Sequence, residues 1–236
     1  GGGYLVADKP GLAPGKNDLR AKAPGANQPG FVGEVDSRPL EKKAFIVAAY
    51  PGSAAADGKA AAKALADWLV GQKLEKVRLA SPFVLRTAVP PIKEAEGRAV
   101  TGLRRMGKRI VLELENDSFI VIHLMVSGRF RWEKQGAKIP GKLGQAAFDF
   151  SSGTLILTEA SSKKRASIHF VVGEAALKAF ERGGLEVLGA SVADFKAAIQ
   201  AESHTLKRTM TDQTILSGIG NGYSDEILWE AQLSPL

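Results

Sequence analysis

Between Leu74 and Val172, apolar residues either alternate with polar ones or run unbroken. The segments are LEKVRLASPFVLR, AVTGLRRMGKRIVLELEN, SFIVIHLMVSGRFRW, AAFDFSSGTLILTEA and RASIHFVVG. A period of two over such lengths predicts strands. The breaks between them are short and carry turn residues, END and SSG among them. Short turns join antiparallel neighbours, so this region is expected to be a β-sandwich or barrel.

On either side the period changes to that of a helix. AAAKALADWL places Leu65, Trp68 and Leu69 on one side, with Asp57 as a cap before it and Gly71 as a stop after it. Beyond the strands, GEAALKAFERG, SVADFKAAIQAE, HTLKRTMTD and YSDEILWEAQ read as helices. The expectation is an α+β chain: an antiparallel β-sandwich with an N-terminal helix at 53–173, then a helical unit at 174–236. A cleft between the two units is the expected place for a nucleic-acid duplex. Residues 1–52 follow neither period. They are rich in Gly, Pro, Lys and Asn, and AFIVAAY, Ala44 to Tyr50, is their only strand-like run. Such composition buries too little apolar surface to offset its ordering entropy, so this part reads as an extended basic arm or a flexible tail.

Charge narrows the partner class. The sequence carries a formal net charge of +7 over 236 residues and has no cysteine. A basic excess favours a polyanion without saying where on the surface it binds. No disulfide framework or cysteine-ligated zinc site is possible, and no apolar run reaches membrane-spanning length, so neither a cofactor nor a membrane is expected.

The stretch SGIGNGYSDEIL, Ser217 to Leu228, concentrates glycine ahead of a helix. A dinucleotide loop needs G-x-G-x-x-G after a strand, whereas Gly218, Gly220 and Gly222 are spaced G-x-G-x-G after a helical segment. A Walker loop would end in Gly-Lys-Ser/Thr, which is absent. What remains is a glycine turn between helices. It either permits close packing or brings backbone N–H groups up to a phosphate, with Asn221 adding an amide.

LKRTMTDQTILSGIGNGYSDEILWEAQLSPL, Leu206 to Leu236, closely resembles the helix–two-turn–helix signature of the formamidopyrimidine-DNA glycosylase and endonuclease VIII family. LVGQKLEKVRLASPFVLR, EGRAVTGLRRMGKRIVLEL and IVIHLMVSGRF resemble the same family's β-sandwich, in the same order. The resemblance implies a protein that turns a damaged base out of duplex DNA and grips the surrounding phosphates. It assigns phosphate contacts to Lys108, to Lys207 and to the turn Gly220, Asn221 and Gly222. Met125 and Val126 stand where the family fills the gap left by the flipped base. The basic loop Lys163, Lys164 and Arg165 either contacts phosphate or is simply solvated.

The resemblance also exposes departures. The family's nucleophile is the secondary amine of an N-terminal proline, followed by a glutamate. Counting back from LVGQ puts that pair at Ser53 and Ala54, inside the chain, where a peptide nitrogen cannot attack. Lys59 and Lys63 on the first helix are the substitute amines this reading offers. The family's zinc finger has no counterpart among these residues. The expectation is therefore a nucleic-acid-binding protein with impaired catalysis, on DNA or on structured RNA, within a ribonucleoprotein for instance. Protein neighbours would be held by the 1–52 arm. An active glycosylase and abasic-site lyase is the alternative.

Overall fold

Two antiparallel sheets face each other across an aromatic and aliphatic core. The computed structural model describes residues 65–234, with the backbone of Val6–Ala7 and Ala44–Ile46. Asp57, Lys59, Lys63, Ser53 and Ala54 lie outside the described residues. Residues 65–69 are helical (α1) and bury Leu65 and Leu69, with Trp68 packed against the core. Gly71 follows with φ +87, as a helix stop should, and its N–H donates to the Val100 carbonyl.

The strands, in chain order, are β1 Val6–Ala7, β2 Ala44–Ile46, β3 Lys76–Leu79, β4 Val100–Met106, β5 Arg109–Leu114 and β6 Ser118–His123. They continue with β7 Gly128–Glu133, β8 Gly144–Phe150, β9 Gly153–Glu159 and β10 Ser167–Val172. The larger sheet has the order β1-β2-β7-β9-β8-β3, and the smaller has β10-β6-β5-β4. Within Ala44–Tyr50, the residues Ala44–Ile46 form a strand beside β7. LEKVRLASPFVLR is less regular than its alternation suggests: the strand ends at Leu79 and a 3-10 turn follows at Pro82–Val84. Pro82 supplies no ladder donor, so the strand cannot run through it.

The END turn leaves three residues between the paired Leu114 and Ser118, and two of them, Asn116 and Asp117, stand at positive φ (61 and 50), a conformation these residue types tolerate. Phe130, Phe148, Phe150 and Phe170 are fully buried between the sheets. Trp132 extends the aromatic layer, with its ring centroid 5.7 Å from Trp68 and 6.0 Å from Phe150. Arg78 of β3 grips the buried carboxylate of Asp149 on β8 through two bonds of 2.7 and 2.8 Å, and Thr154 donates to the same carboxylate.

After β10 come α2 Glu174–Lys178, β11 Leu185–Glu186, α3 Val192–Gln200, α4 Leu206–Thr211, β12 Leu216–Ser217 and α5 Asn221–Glu230. The expected helix over GEAALKAFERG is only α2, because the chain leaves helical geometry before Phe180, which packs elsewhere. Ser191 caps α3 through its hydroxyl, which accepts from the Asp194 N–H. A second core of Met210, Leu216, Ile219, Tyr223 and Leu228 holds the C-terminal helices together. β11 and β12 pair in parallel and tie the linker to the turn before α5. Among the described residues no helix is long and apolar enough to cross a membrane.

Phe148 is fully buried at the centre of the sandwich. Truncating it in Phe148→Ala is expected to cost about 3–5 kcal/mol of stability, read as a lower midpoint in urea unfolding.

Candidate nucleic-acid interface

Antiparallel pairing fixes which side chains share the outer face of the smaller sheet. Met106, Arg109, His123 and Ser167 lie in one cross-strand row, and Arg104, Val111, Val121 and His169 in the next. Val111, Phe119, Val121 and Val171 form a separate apolar cluster on this face, covered by Leu177 of α2, with Phe180 and Met106 packed against it. The row ending in His123 is left open. It forms one wall of a cleft of about 860 Å³ whose other wall is the linker 180–186 and the start of α5.

The β4–β5 hairpin tip is pressed against this second wall. Gly107 has φ +57, and a Cβ there would sit 3.1 Å from the Ser217 hydroxyl oxygen. Arg105 reinforces the contact by pairing with Glu186 and donating to the Gly107 carbonyl at 2.7 Å. Lys108 follows Gly107 and lines the cleft. It has no hydrogen-bond or ion-pair partner among the described residues, and burial holds its ammonium below the ordinary lysine pKa.

Arg109 donates to the Phe180 carbonyl at 3.1 Å and lies 5.6 Å from that ring's centroid. His169 meets the other side of the picture with an edge-on contact of 4.9 Å to Phe180. His123 accepts the Met125 N–H at Nδ1 (3.0 Å), so its neutral imidazole carries the proton on Nε2. Burial, then the charges of Arg109 and Lys108, push the His123 pKa down to about 4. His169 is lowered too, by burial and then by Arg109 and Arg86. Both rings are therefore neutral near pH 7.

Met125 and Val126 occupy the turn after β6, and both line the cleft. Met125 has φ +55 and is half-buried, while Val126 stands 58% exposed. The turn needs Gly128, since a Cβ there would lie 2.2 Å from the Leu124 carbonyl oxygen. Gly220, Asn221 and Gly222 also reach the cleft. The glycine stretch is shorter than the sequence suggested, because α5 begins at Asn221 with Gly220 before it. Asn221 and Gly222 thus belong to the first helical turn, whose N–H groups have no partner inside the helix.

Other expected contacts lie elsewhere. Lys207 does not line the cleft; its ammonium pairs with Asp225 at 2.5 Å, bracing α4 against α5. Lys163, Lys164 and Arg165 also lie outside the cleft lining. Their loop is folded around the buried carboxylate of Glu159, which accepts the Arg165 N–H at 2.9 Å and the Ala166 N–H at 3.2 Å. Lys164 turns back to the Glu159 carbonyl. Ser161 N–H reaches the Ser127 hydroxyl at 3.3 Å, so this loop abuts the Met125–Val126 turn. Arg109, His123, His169, Phe180 and Arg182 were not singled out from the sequence. The signal for two of them was there: counting back from the END turn sets Arg109 opposite His123.

The chain matches the model of the formamidopyrimidine-DNA glycosylase N-terminal domain over residues 59–165 and that of the family's H2TH domain over residues 188–236. It is 33% identical to a formamidopyrimidine-DNA glycosylase of Heliobacterium modesticaldum, an alignment covering 73% of this chain and 65% of the relative. It is 32% identical to that of Agrobacterium fabrum, covering 74% and 65%. The chain thus spans a little less than two thirds of these relatives. Among solved structures, the Lactococcus lactis enzyme bound non-covalently to DNA containing an abasic site superposes with a TM-score of 0.66. That match has 25% identity and covers 75% of this chain and 68% of the other. An inhibited form of the L. lactis protein in complex with DNA carrying N7-benzyl-Fapy-dG gives the same score, with 25% identity and coverage of 74% and 66%.

The depressed pKa of His123 has a consequence for stability. Unfolded, this imidazole titrates near its ordinary 6.5; folded, it titrates at about 4. Between those values the unfolded chain binds more protons, so stability falls as pH drops through the window and levels off below about 4. The loss is on the order of 3 kcal/mol. His123→Gln is expected to flatten this part of the stability–pH curve, measured by urea unfolding at successive pH values.

Proposed function

The chain belongs to the formamidopyrimidine-DNA glycosylase family, and from that premise we propose that its cleft grips the backbone of duplex DNA around a nucleotide turned out of the stack. The observation that carries this is the set of cations without carboxylate partners, Lys108, Arg109 and Arg182, facing the amide and first-turn N–H groups of α5 across one cleft. Fixed cations and helix-start donors on opposed walls suit a phosphodiester. The exposed Val126 on the adjoining turn is placed to enter the gap that an extruded base leaves. In this reading residues 53–173 and 174–236 are the two jaws, and Val6–Ala7 and Ala44–Ile46 add strands to the first of them.

DNA is favoured over structured RNA because the neighbours of this fold were solved on DNA, one of them at an abasic site. Catalysis is the finer question. Ser53 and Ala54 stand where the family resemblance places proline and glutamate, which supports a binding protein with reduced chemistry. The opposing observation is that the relatives at 33% and 32% identity carry the glycosylase name, which supports base excision and abasic-site cleavage as the second reading.

Binding to a duplex with one abasic site, followed by fluorescence anisotropy at several salt concentrations, tests the interface. Asn221→Ala removes a neutral donor and is expected to weaken binding about tenfold at every salt concentration. Arg182→Ala is expected to weaken it and to reduce the slope of log K against log salt by about 1. Parent-like binding by both variants would remove the cleft from the interface.

A further inference from the structure

We propose that Gln213 is a positioning residue: its side-chain amide shapes the glycine turn so that the start of α5 faces the cleft already set for a phosphate. The inference rests on reading the cleft as a DNA site. Gln213 lies between α4 and β12 and lines the cleft together with Gly220, Asn221 and Gly222. Its Nε2 donates to the Ile219 carbonyl at 2.7 Å and to the Thr211 carbonyl at 2.9 Å, and its Oε1 accepts the Gly218 N–H at 3.0 Å. Both amide hydrogens and the oxygen are in use. The three partners also fix the orientation of the amide, since exchanging O and N would set an oxygen against two carbonyls and an amino group against a donor.

These bonds act where regular pairing ends. The chain leaves α4 at Thr211, pairs with β11 through Leu216 and Ser217, and enters α5 at Asn221. Gly218 follows the ladder at φ +98, a conformation that glycine adopts without strain, and Gly220 brings no side-chain cap to α5. Gln213 spans this gap, tying the end of α4 to the two residues after β12. Its own main chain is held from the other side. A Cβ on Gly184 would lie 2.5 Å from the Gln213 carbonyl oxygen, so the linker packs directly on it, and Asp212 accepts the Thr214 N–H at 2.8 Å.

A turn that must be ordered on binding loses affinity to that ordering, whereas one held beforehand does not. Gln213 is neutral and its amide hydrogens are already given to the turn, so it supplies geometry to Asn221 and Gly222 and no field of its own. Its removal should therefore weaken the grip without altering the salt dependence, which belongs to the cations.

The test combines hydrogen exchange at the Gly218 amide, followed by NMR in the full chain, with anisotropy on the duplex carrying one abasic site. In the free parent the Gly218 N–H is expected to exchange at least about tenfold more slowly than an unstructured amide. Gln213→Met keeps the length and loses all three bonds. It should bind about tenfold more weakly, with an unchanged slope of log K against log salt. Adding Asn221→Ala to Gln213→Met should then cost less than about threefold, against about tenfold in the parent, because the asparagine has already lost its place. Gln213→Glu keeps the acceptor for Gly218 and loses both donors; the same loss of coupling to Asn221 is expected of it, and it replaces Gln213→Met should that variant not fold. Three outcomes overturn the assignment. They are a Gly218 amide protected only when DNA is bound, parent-like affinity in a folded Gln213 variant whatever its unfolding midpoint, and full additivity with Asn221→Ala, which would make Gln213 a direct contact. A parent protein that fails to bind the duplex would remove the DNA reading instead, and the exchange measurement would still report on the turn.

Discussion

The incompletely covered outer face of the smaller sheet is the constraint from which the cleft follows. Strand alternation sends every second side chain of β4, β5, β6 and β10 to that face, whether or not anything is there to cover it. Leu177 of α2 closes off Val111, Phe119, Val121 and Val171, with Phe180 packed at the margin. The chain then turns away toward β11. Beyond that margin the face changes character, from aliphatic residues to Arg109, His123, Ser167 and His169. A buried charge without a partner is costly, so these residues require an opening to solvent or to a ligand. The cleft is thus the part of the sheet whose side chains could not be buried.

What keeps the opposite wall in place is a set of arginine contacts that leave other cations unsatisfied. Arg104 bridges Glu113 on its own sheet to Glu174 at the start of α2, and Arg105 reaches Glu186 in β11. Arg109 binds the linker through the Phe180 carbonyl. The first two use up carboxylates near the cleft. The third is satisfied by a neutral oxygen, so its charge persists. The chain's net positive charge says nothing of this arrangement; the pairing of Glu113, Glu174 and Glu186 with Arg104 and Arg105 does.

The strands were legible because each hairpin carries both its alternation and its turn chemistry locally. Asn116 and Asp117 announce a positive-φ turn before any tertiary contact is known, and with the turn fixed the register follows. Family resemblance singled out the glycine turn, Lys108 and the Met125–Val126 pair, which line one cleft although they are far apart in sequence, a juxtaposition that periodicity does not register. Other contacts were not legible: the sequence does not announce that Asp225, on the next helix, pairs with the Lys207 ammonium. The basic loop is a second case. Nothing local in SSKKRAS reveals that Glu159, at the end of the preceding strand, is buried and organises the loop's backbone. Phe180 was read as a helix residue because its neighbours favour helix; its stacking against Arg109 and His169 involves strands far away in sequence, and propensity does not register such contacts.

The cleft's groups divide by what protons can do on them. Guanidiniums hold their charge throughout the neutral range and supply a constant field. The groups among them that can change state are His123, His169 and Lys108, and burial acts on all three in the same direction, toward the neutral form. For the histidines the cationic surroundings add to that effect, so the field of the arginines and lysine is itself part of what keeps the imidazoles uncharged. A neutral His123 with Nδ1 occupied by the Met125 N–H presents a single donor, which orients a ligand oxygen without adding to the repulsion among the cations. An anion entering the cleft therefore meets fixed charge on one set of side chains and directed, uncharged polarity on another. A phosphodiester, with charged oxygens flanking a sugar, has the matching distribution.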